Sequence, residues 1–340
     1  MEQNRDNRIL LSQITAPAFL TENGIIAAVN EAAEKMYLQI GQPVEPMLLT
    51  GAEEYRAFSQ GQLIVTLLHQ EQELSASITR WNKGELICLE AQSDALRSLE
   101  LAAMNLRRPL SDLLTLSRQL DNSDLTAQIT HRLYQLDRIV CNMSDTAHPG
   151  TGRMEVRNLT SFLQEIFDKA GTPLPLEFTN LPQHEFCTFD SDLLERAIYN
   201  IIANAAKFAI PGSTIRANAA KHGNRMLLTV CNPVEPAQVL PGADFFDRYL
   251  RQPGLEDPRS GIGLGMTIIR AAAKAHRGTV LVETGEPGVM KLTLAMAMQR
   301  GGAPILRQTL LLPDYAGELD HCLLELADVL PDSCYHQDDH

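Results

Sequence analysis

Hydrophobic and polar positions change their period three times along the chain. Up to about residue 90 the apolar runs are short and broken by turn residues. Pro17-Ala-Phe-Leu20 and Ile25-Ile-Ala-Ala-Val29 flank Glu22-Asn23-Gly24, the pattern of a hairpin. Asn30 stands where a short helix over Glu31–Met36 needs its N-terminal cap. Leu63–His69, Leu74–Trp81 and Glu85–Glu90 predict three more strands, with Asn82-Lys-Gly84 as the turn between the last two. Between 91 and 148 the period becomes helical. Leu96, Leu99, Ala103, Leu106, Leu110, Leu113 and Leu120, with Ser117 in the remaining slot, recur at alternating steps of three and four, a heptad seam. Asp121–Asp124 breaks it. A second helix then carries Leu125, Ile129, Leu133, Leu136, Val140 and Met143 on one face. Two helices cannot bury such a seam on all sides, so the hairpin predicts a homodimer through residues 91–148, joined as a four-helix bundle.

From about 155 to 300 helices and strands alternate. Leu159–Lys169 and Asp192–Ala209 read as helices. Leu176–Asn180, Thr214–Ala220, Met226–Cys231, Thr279–Thr284 and Val289–Ala297 read as strands. Pro233–Ser260 is rich in Pro and Gly and has little regular pattern apart from Phe245–Leu250, the composition of a functional loop. Gly261-Ile-Gly-Leu-Gly265 opens a further helix that runs to about His276. The last forty residues carry one strand-like run, Arg307–Leu312, and an amphipathic helix over about Gly317–Leu330.

Composition narrows the classes. A chain of 340 residues predicts two or three domains, and 44% hydrophobic residues exclude a disordered chain. With 29 basic against 42 acidic residues the net charge is −13, and no dense basic stripe is present. That argues against nucleic acid and against an anionic membrane surface as partners. No apolar run approaches the ~18–20 residues of a membrane span. The polar start does not read as a signal peptide, so none is expected. The expected location is therefore cytoplasmic. The six cysteines are scattered without a Cys-x-x-Cys pair, which points to free thiols.

Two groups of residues could carry chemistry. Glycines at 261, 263 and 265 let a helix N-terminus approach a phosphate closely. A dinucleotide fingerprint fails here, because Gln252–Ser260 is polar loop and the sixth position is Met266. Inside the long helix, Asn200 and Asn204 share a face, with Lys207 after them. Asn is a poor helix-interior residue, so two on one face need a task. An amide carbonyl can ligate Mg²⁺, and a lysine can meet a phosphate.

The helix Leu193–Phe208 resembles the Asn-bearing box of sensor histidine kinases. Phe245-Phe-Asp-Arg-Tyr249 resembles their phenylalanine box, and Gly261–Gly265 followed by His276-Arg-Gly278 their second glycine box. The helical hairpin resembles their dimerisation and phosphotransfer domain, and residues 8–90, less specifically, a PAS sensor. The resemblance implies an α+β multidomain chain. Residues 8–90 would be a PAS-like α/β sensor. Residues 91–150 would be the hairpin of a dimeric four-helix bundle, and 155–300 a GHKL-type α/β sandwich that binds ATP. Residues 301–340 would be an extension outside the family pattern. It implies that Asn204 ligates Mg²⁺ with Asn200 beside it. Lys207 would face the phosphates, Gly261, Gly263, Leu264 and Gly265 would cradle them, and 233–260 would form the lid. A response regulator or partner kinase, and an unknown small ligand of the PAS-like domain, are the implied partners.

The chain departs from that family where phosphate would be received. The acceptor motif reads Ala103-Met104-Asn105-Leu106-Arg107-Arg108-Pro109-Leu110, so Met104 occupies the histidine position and Asn105 the acidic one. A thioether does not accept a phosphoryl group as an imidazole does, and an amide is not a general base. Arg108 replaces the threonine of the phosphatase pattern. Asn232-Pro-Val-Glu-Pro236 stands where the first glycine box has Asp-x-Gly-x-Gly, leaving Asn232 to meet the adenine amino group. His131 is expected as a solvated helix residue, and His276 as a cation at a helix C-terminus. The expectation is an ATP-binding pseudokinase of two-component signalling. The alternatives are an active ATPase or kinase acting in trans or through a displaced histidine, and a nucleotide-independent interaction module.

Overall fold

The computed structural model describes residues 10–81, 84–89, 94–121, 123–147, 154–182, 185–235, 264–283, 288–299 and 319–336. The short apolar runs of the first segment become β1 (Ala18–Glu22), β2 (Ile25–Val29), β3 (Gln62–His69), β4 (Gln72–Trp81) and β5 (Gly84–Leu89). All pair antiparallel in the order β2-β1-β5-β4-β3. Two short helices, α1 (Glu31–Lys35) and α2 (Ala52–Ala57), lie between β2 and β3. Asn30 does cap α1. Its side-chain oxygen accepts the Ala33 N–H and also the Ala18 N–H, while its amide donates to Ile14 O and Ala16 O. One buried amide thus ties the helix start to β1 and to the segment before it.

The two long helical patterns become α3 (Asp94–Ser117) and α4 (Asp124–Ala147). Their seam divides into two rows. Ala103, Leu110, Leu114 and Ser117 of α3 are buried, as are Leu133, Tyr134, Val140 and Cys141 of α4. Leu106, Leu113 and Leu120 remain about half exposed, and Leu125, Ile129 and Leu136 are exposed on the second helical stretch. The side chain of Met104 lies outside the described residues, and Asn105 is exposed.

The third segment is a sheet with helices on one face. Its elements are β6 (Met154–Asn158), α5 (Leu159–Gly171), β7 (Leu176–Thr179), β8 (Phe186–Asp190), α6 (Ser191–Phe208), β9 (Ile215–His222), β10 (Arg225–Pro233), α7 (Leu264–Ala275), β11 (Thr279–Glu283) and β12 (Val289–Ala297). The strand order is β11-β12-β10-β9-β7, with β7 parallel to β9 and the rest antiparallel. Alternate residues of β10, Met226, Leu228 and Val230, enter one core with Ile198, Ile201 and Ile202 of α6 and Ile268 and Ile269 of α7. That alternation on a half-covered sheet, against a 3.6-residue helical stripe, is what holds the layer together. β6 and β8 form a separate antiparallel pair.

The two sheets are continuous. β3 pairs antiparallel with β11, Ile64 opposite Val280 and Gln62 opposite Val282, making one ten-stranded sheet. Gly61 makes the approach feasible. It sits at φ +84°, and a Cβ there would fall 2.0 Å from the Val282 carbonyl oxygen. Glu54 of α2 pairs with Arg225 of β10 across the same junction.

At the C-terminal end, α8 (His321–Glu325) is followed by turns and a 3₁₀ turn, Asp332–Tyr335. The expected helix over 317–330 is thus shorter. Asp320 accepts the Leu323 N–H and starts the helix only there. The strand-like run 307–312 lies outside the described residues.

Candidate functional site

Helix α6 carries the site. Asp190 caps its start by accepting the Leu193 N–H at 3.1 Å. Leu194, Ala197, Ile198, Ile201 and Ala205 drive one face into the core. That orientation leaves Asn200 only 1% exposed, with Asn204 and Lys207 partly buried nearer the helix C-terminus. Gly265, in the first turn of α7, lies against Asn200, and a Cβ at this glycine would sit 2.7 Å from Asn200 Oδ1. The fold therefore brings the Asn-bearing helix and the glycine-opened helix together, with room between them that only glycine leaves. Gly261, Gly263, Phe245–Tyr249 and the side chain of Leu264 lie outside the described residues.

Asn232 ends the row Met226, Leu228 and Val230 that faces the helices. It is buried, and its Nδ2 has no hydrogen-bond partner among the described residues. A buried donor left over in this way suits a ligand edge such as a nucleobase. Among the described residues no three His, Cys, Asp or Glu side chains cluster as a metal site. A hard cation here would rely on amide oxygens and on a ligand's phosphates.

The surroundings of Asn200 come from two places that sequence patterning does not connect. Arg138 of α4 donates from Nη2 to Asn200 Oδ1 at 3.1 Å. Asn200 Nδ2 donates to the Arg196 carbonyl at 2.9 Å and to Glu325 Oε2 at 3.1 Å. Glu325, fully buried, also accepts from Arg196 Nε at 2.9 Å and lies 3.6 Å from Arg138 Nε. Arg196 Nη2 donates to Asn142 of α4 at 3.1 Å. Arg138 pairs outward with Asp328.

Two histidines are placed otherwise than expected. His131 is not solvated but 4% exposed. Its ring stacks on Tyr335 at 4.4 Å between centroids, Nε2 donates to the Ala327 carbonyl at 2.6 Å, and Nδ1 faces Asp332. The C-terminal turn covers it, and no local pattern on α4 announces that cover. His276 does stand at the end of α7, but not as the cation that the dipole would favour. It is buried, Nδ1 donates to Ala272 O at 2.7 Å, and Nε2 accepts the Asp190 N–H at 3.0 Å. The ring thus joins the end of α7 to the cap of α6 as a neutral imidazole.

Burial holds the pKa of His276 below the ordinary histidine value, against smaller opposing effects of the Ala272 carbonyl and Asp190. A base whose folded pKa is depressed stabilises the fold fully above its unfolded pKa, about 6.5. That stability falls as pH drops through this value toward the folded one. At pH 6.5 the His276 ring should be less than half protonated by its imidazole resonances. Observing a half-protonated ring there would contradict this placement.

The comparisons with known proteins agree with this geometry. Residues 189–300 match the family described as histidine kinase-, DNA gyrase B-, and HSP90-like ATPase. The sensor protein KdpD of Mycobacterium tuberculosis is 28% identical over 181 residues, covering 49% of this chain and 20% of KdpD. KdpD of Escherichia coli is 26% identical over 272 residues, covering 74% of this chain and 29% of that protein. The chain thus spans less than a third of the length of these relatives. The crystal structure of full-length ShkA in complex with AMPPNP has a TM-score of 0.47 and 16% identity, covering 62% of this chain and 47% of that one. Residues 189–300 thus carry an ATPase domain of the histidine kinase, gyrase B and HSP90 type, and the chain is similar to sensor kinases over about half to three quarters of its length. Among the described residues no helix is long and apolar enough to cross a membrane.

Proposed function

We propose that this is a two-component signalling protein whose ATPase domain binds Mg-ATP and whose own hairpin receives no phosphate. One observation carries the nucleotide half: Gly265 and Asn200, on separate helices, meet so closely that a Cβ at 265 would collide with the Asn200 amide. The buried, unpartnered Nδ2 of Asn232 adds to it. Asn204 would ligate Mg²⁺, Lys207 would meet the phosphates, and the glycines at 261, 263 and 265 would admit them. The bound cation would neutralise phosphate charge. The chain's own part is to orient the triphosphate and to exclude water from it. Calorimetric titration should give Mg-dependent ATP binding, weakened about tenfold or more in Asn204→Ala. Absence of heat at millimolar ATP would favour the interaction module instead.

The acceptor half rests on Met104 and Asn105. His131 is no substitute, because both of its ring nitrogens are engaged and its face is covered. Residues 8–90 read as a PAS-like sensor with a small ligand of unknown class, in a cytoplasmic protein that meets a response regulator or a partner kinase.

Dimerisation through the hairpin follows from the second row of its seam. Leu106, Leu113, Leu116 and Leu120 expose a continuous apolar stripe on α3 and just past it. A second copy covering it would complete the four-helix bundle. Light scattering at tens of micromolar should report a dimer, and Leu106→Glu with Leu113→Glu should yield monomers. A wild-type monomer under those conditions would remove the bundle from this reading.

A further inference from the structure

Arg138, Arg196 and Asn200 surround the buried carboxylate of Glu325 where the hairpin meets the ATPase domain. Two guanidinium groups and one amide donor converge there on the Glu325 carboxylate, which is 0% exposed. Buried arginines left without a counter-anion are strongly destabilising, so this cluster must hold an anion. Guanidinium groups bind carboxylate and phosphate oxygens with the same fork of donors.

The present occupant belongs to the C-terminal segment 319–336. Leu324, Leu326, Ala327 and Tyr335 are buried beneath it. Its outer edge is polar: Asp328 on Arg138, Asp332 on His131, and His321 on Glu195 at 2.7 Å. The cluster also adjoins the proposed phosphate cradle through a single side chain. A Cβ at Gly265 would fall 2.7 Å from the Asn200 oxygen, and that same oxygen accepts from Arg138. A triphosphate drawn up to Gly265 would bring negative charge beside Glu325 and would compete with it for Arg138.

We infer that this cluster is an anion-exchange site, in which Glu325 and the phosphates of a bound nucleotide compete for Arg138 and Asn200. The C-terminal segment is then an intrachain antagonist of nucleotide binding that clamps hairpin helix α4 against α6. Nucleotide loosens the clamp, and by thermodynamic reciprocity the clamp weakens nucleotide by the same factor. The exchange rests on the nucleotide reading above, whereas the clamp itself does not.

Cys322 reports the clamp. It is 5% exposed, and burial pushes its thiol up to about 12. Its alkylation rate in the full-length chain, resolved from the other cysteines by peptide mass spectrometry, measures release of the segment. Saturating Mg-ATP should speed Cys322 labelling about tenfold, with Cys187 in the ATPase core as the unchanged control. Asp328→Asn, at the exposed edge, frees Arg138 of its outer partner and leaves Glu325 in place. It should speed labelling without nucleotide and tighten nucleotide binding by the same factor.

Nucleotide that binds by calorimetry yet leaves the Cys322 rate unchanged would overturn the exchange. Nucleotide binding that is tighter in Asp328→Asn than in the wild type would support it most directly. No binding in either protein would overturn the nucleotide reading and the exchange with it. In that case faster Cys322 labelling in Asp328→Asn would still uphold the clamp, and an unchanged rate would overturn the clamp as well.

Discussion

Incubation with γ-labelled ATP should leave no acid-labile phosphohistidine on this protein. In-line transfer needs a nitrogen nucleophile held at the γ-phosphate and a base to take its proton. Met104 supplies no nitrogen, and Asn105 supplies no carboxylate. His131, the histidine of α4, is stacked on Tyr335 and bonded to Ala327 and Asp332. It would have to leave that cover before it could react. The expected wild-type signal is therefore background. Met104→His with Asn105→Glu restores the family's pair and should give measurable labelling where either change alone does not. Wild-type labelling that disappears in His131→Gln would identify a displaced acceptor and an active kinase.

Arg196→Met should cost the ATPase domain about 3–5 kcal/mol, the usual effect of stranding one member of a buried ion pair. Arg196 is the nearest cation to Glu325, and its Nη2 also satisfies Asn142. Removing it leaves a carboxylate facing Arg138 at longer range. Calorimetric melting should show the midpoint of that transition lowered by roughly 6–20 °C. The double change Arg196→Met with Glu325→Leu removes both charges and should recover most of the loss, since apolar replacement of a buried pair is often neutral. A single variant that melts with the wild type would mean that Glu325 is not held at Arg196 in solution. A double variant no better than the single would mean that the loss comes from packing rather than charge.

The ATPase helix, the hairpin and most strands were legible from residue order, because their signals are local. The Asn30 cap, the seam of α3, the run that became α6 and the alternation in β10 each depend on residues within a few turns of one another. β6 and β8 were not legible. Met154–Asn158 is largely exposed and pairs with one other strand, so it carries little apolar alternation. The juncture of β3 with β11 was hidden for a different reason. Both strands are apolar runs, and backbone pairing leaves no mark on side-chain identity beyond the tolerance for Gly61.

At the site, sequence by itself determined which residue types are present: two amides one helical turn apart, a glycine-opened helix, a Met and an Asn where a histidine and an acid belong. Those facts limit the chemistry in any fold, because no packing turns a thioether into a phosphoryl acceptor. Only the tertiary structure decided what each amide faces. Asn200 is shared by Arg138, 62 residues away, and Glu325, 125 residues away. His131 is buried by a segment some 200 residues further on. Such pairings arise because burying one charge obliges the fold to bring another, from wherever in the chain one is available. That obligation has no period and no motif, so it becomes visible only when the helices are packed.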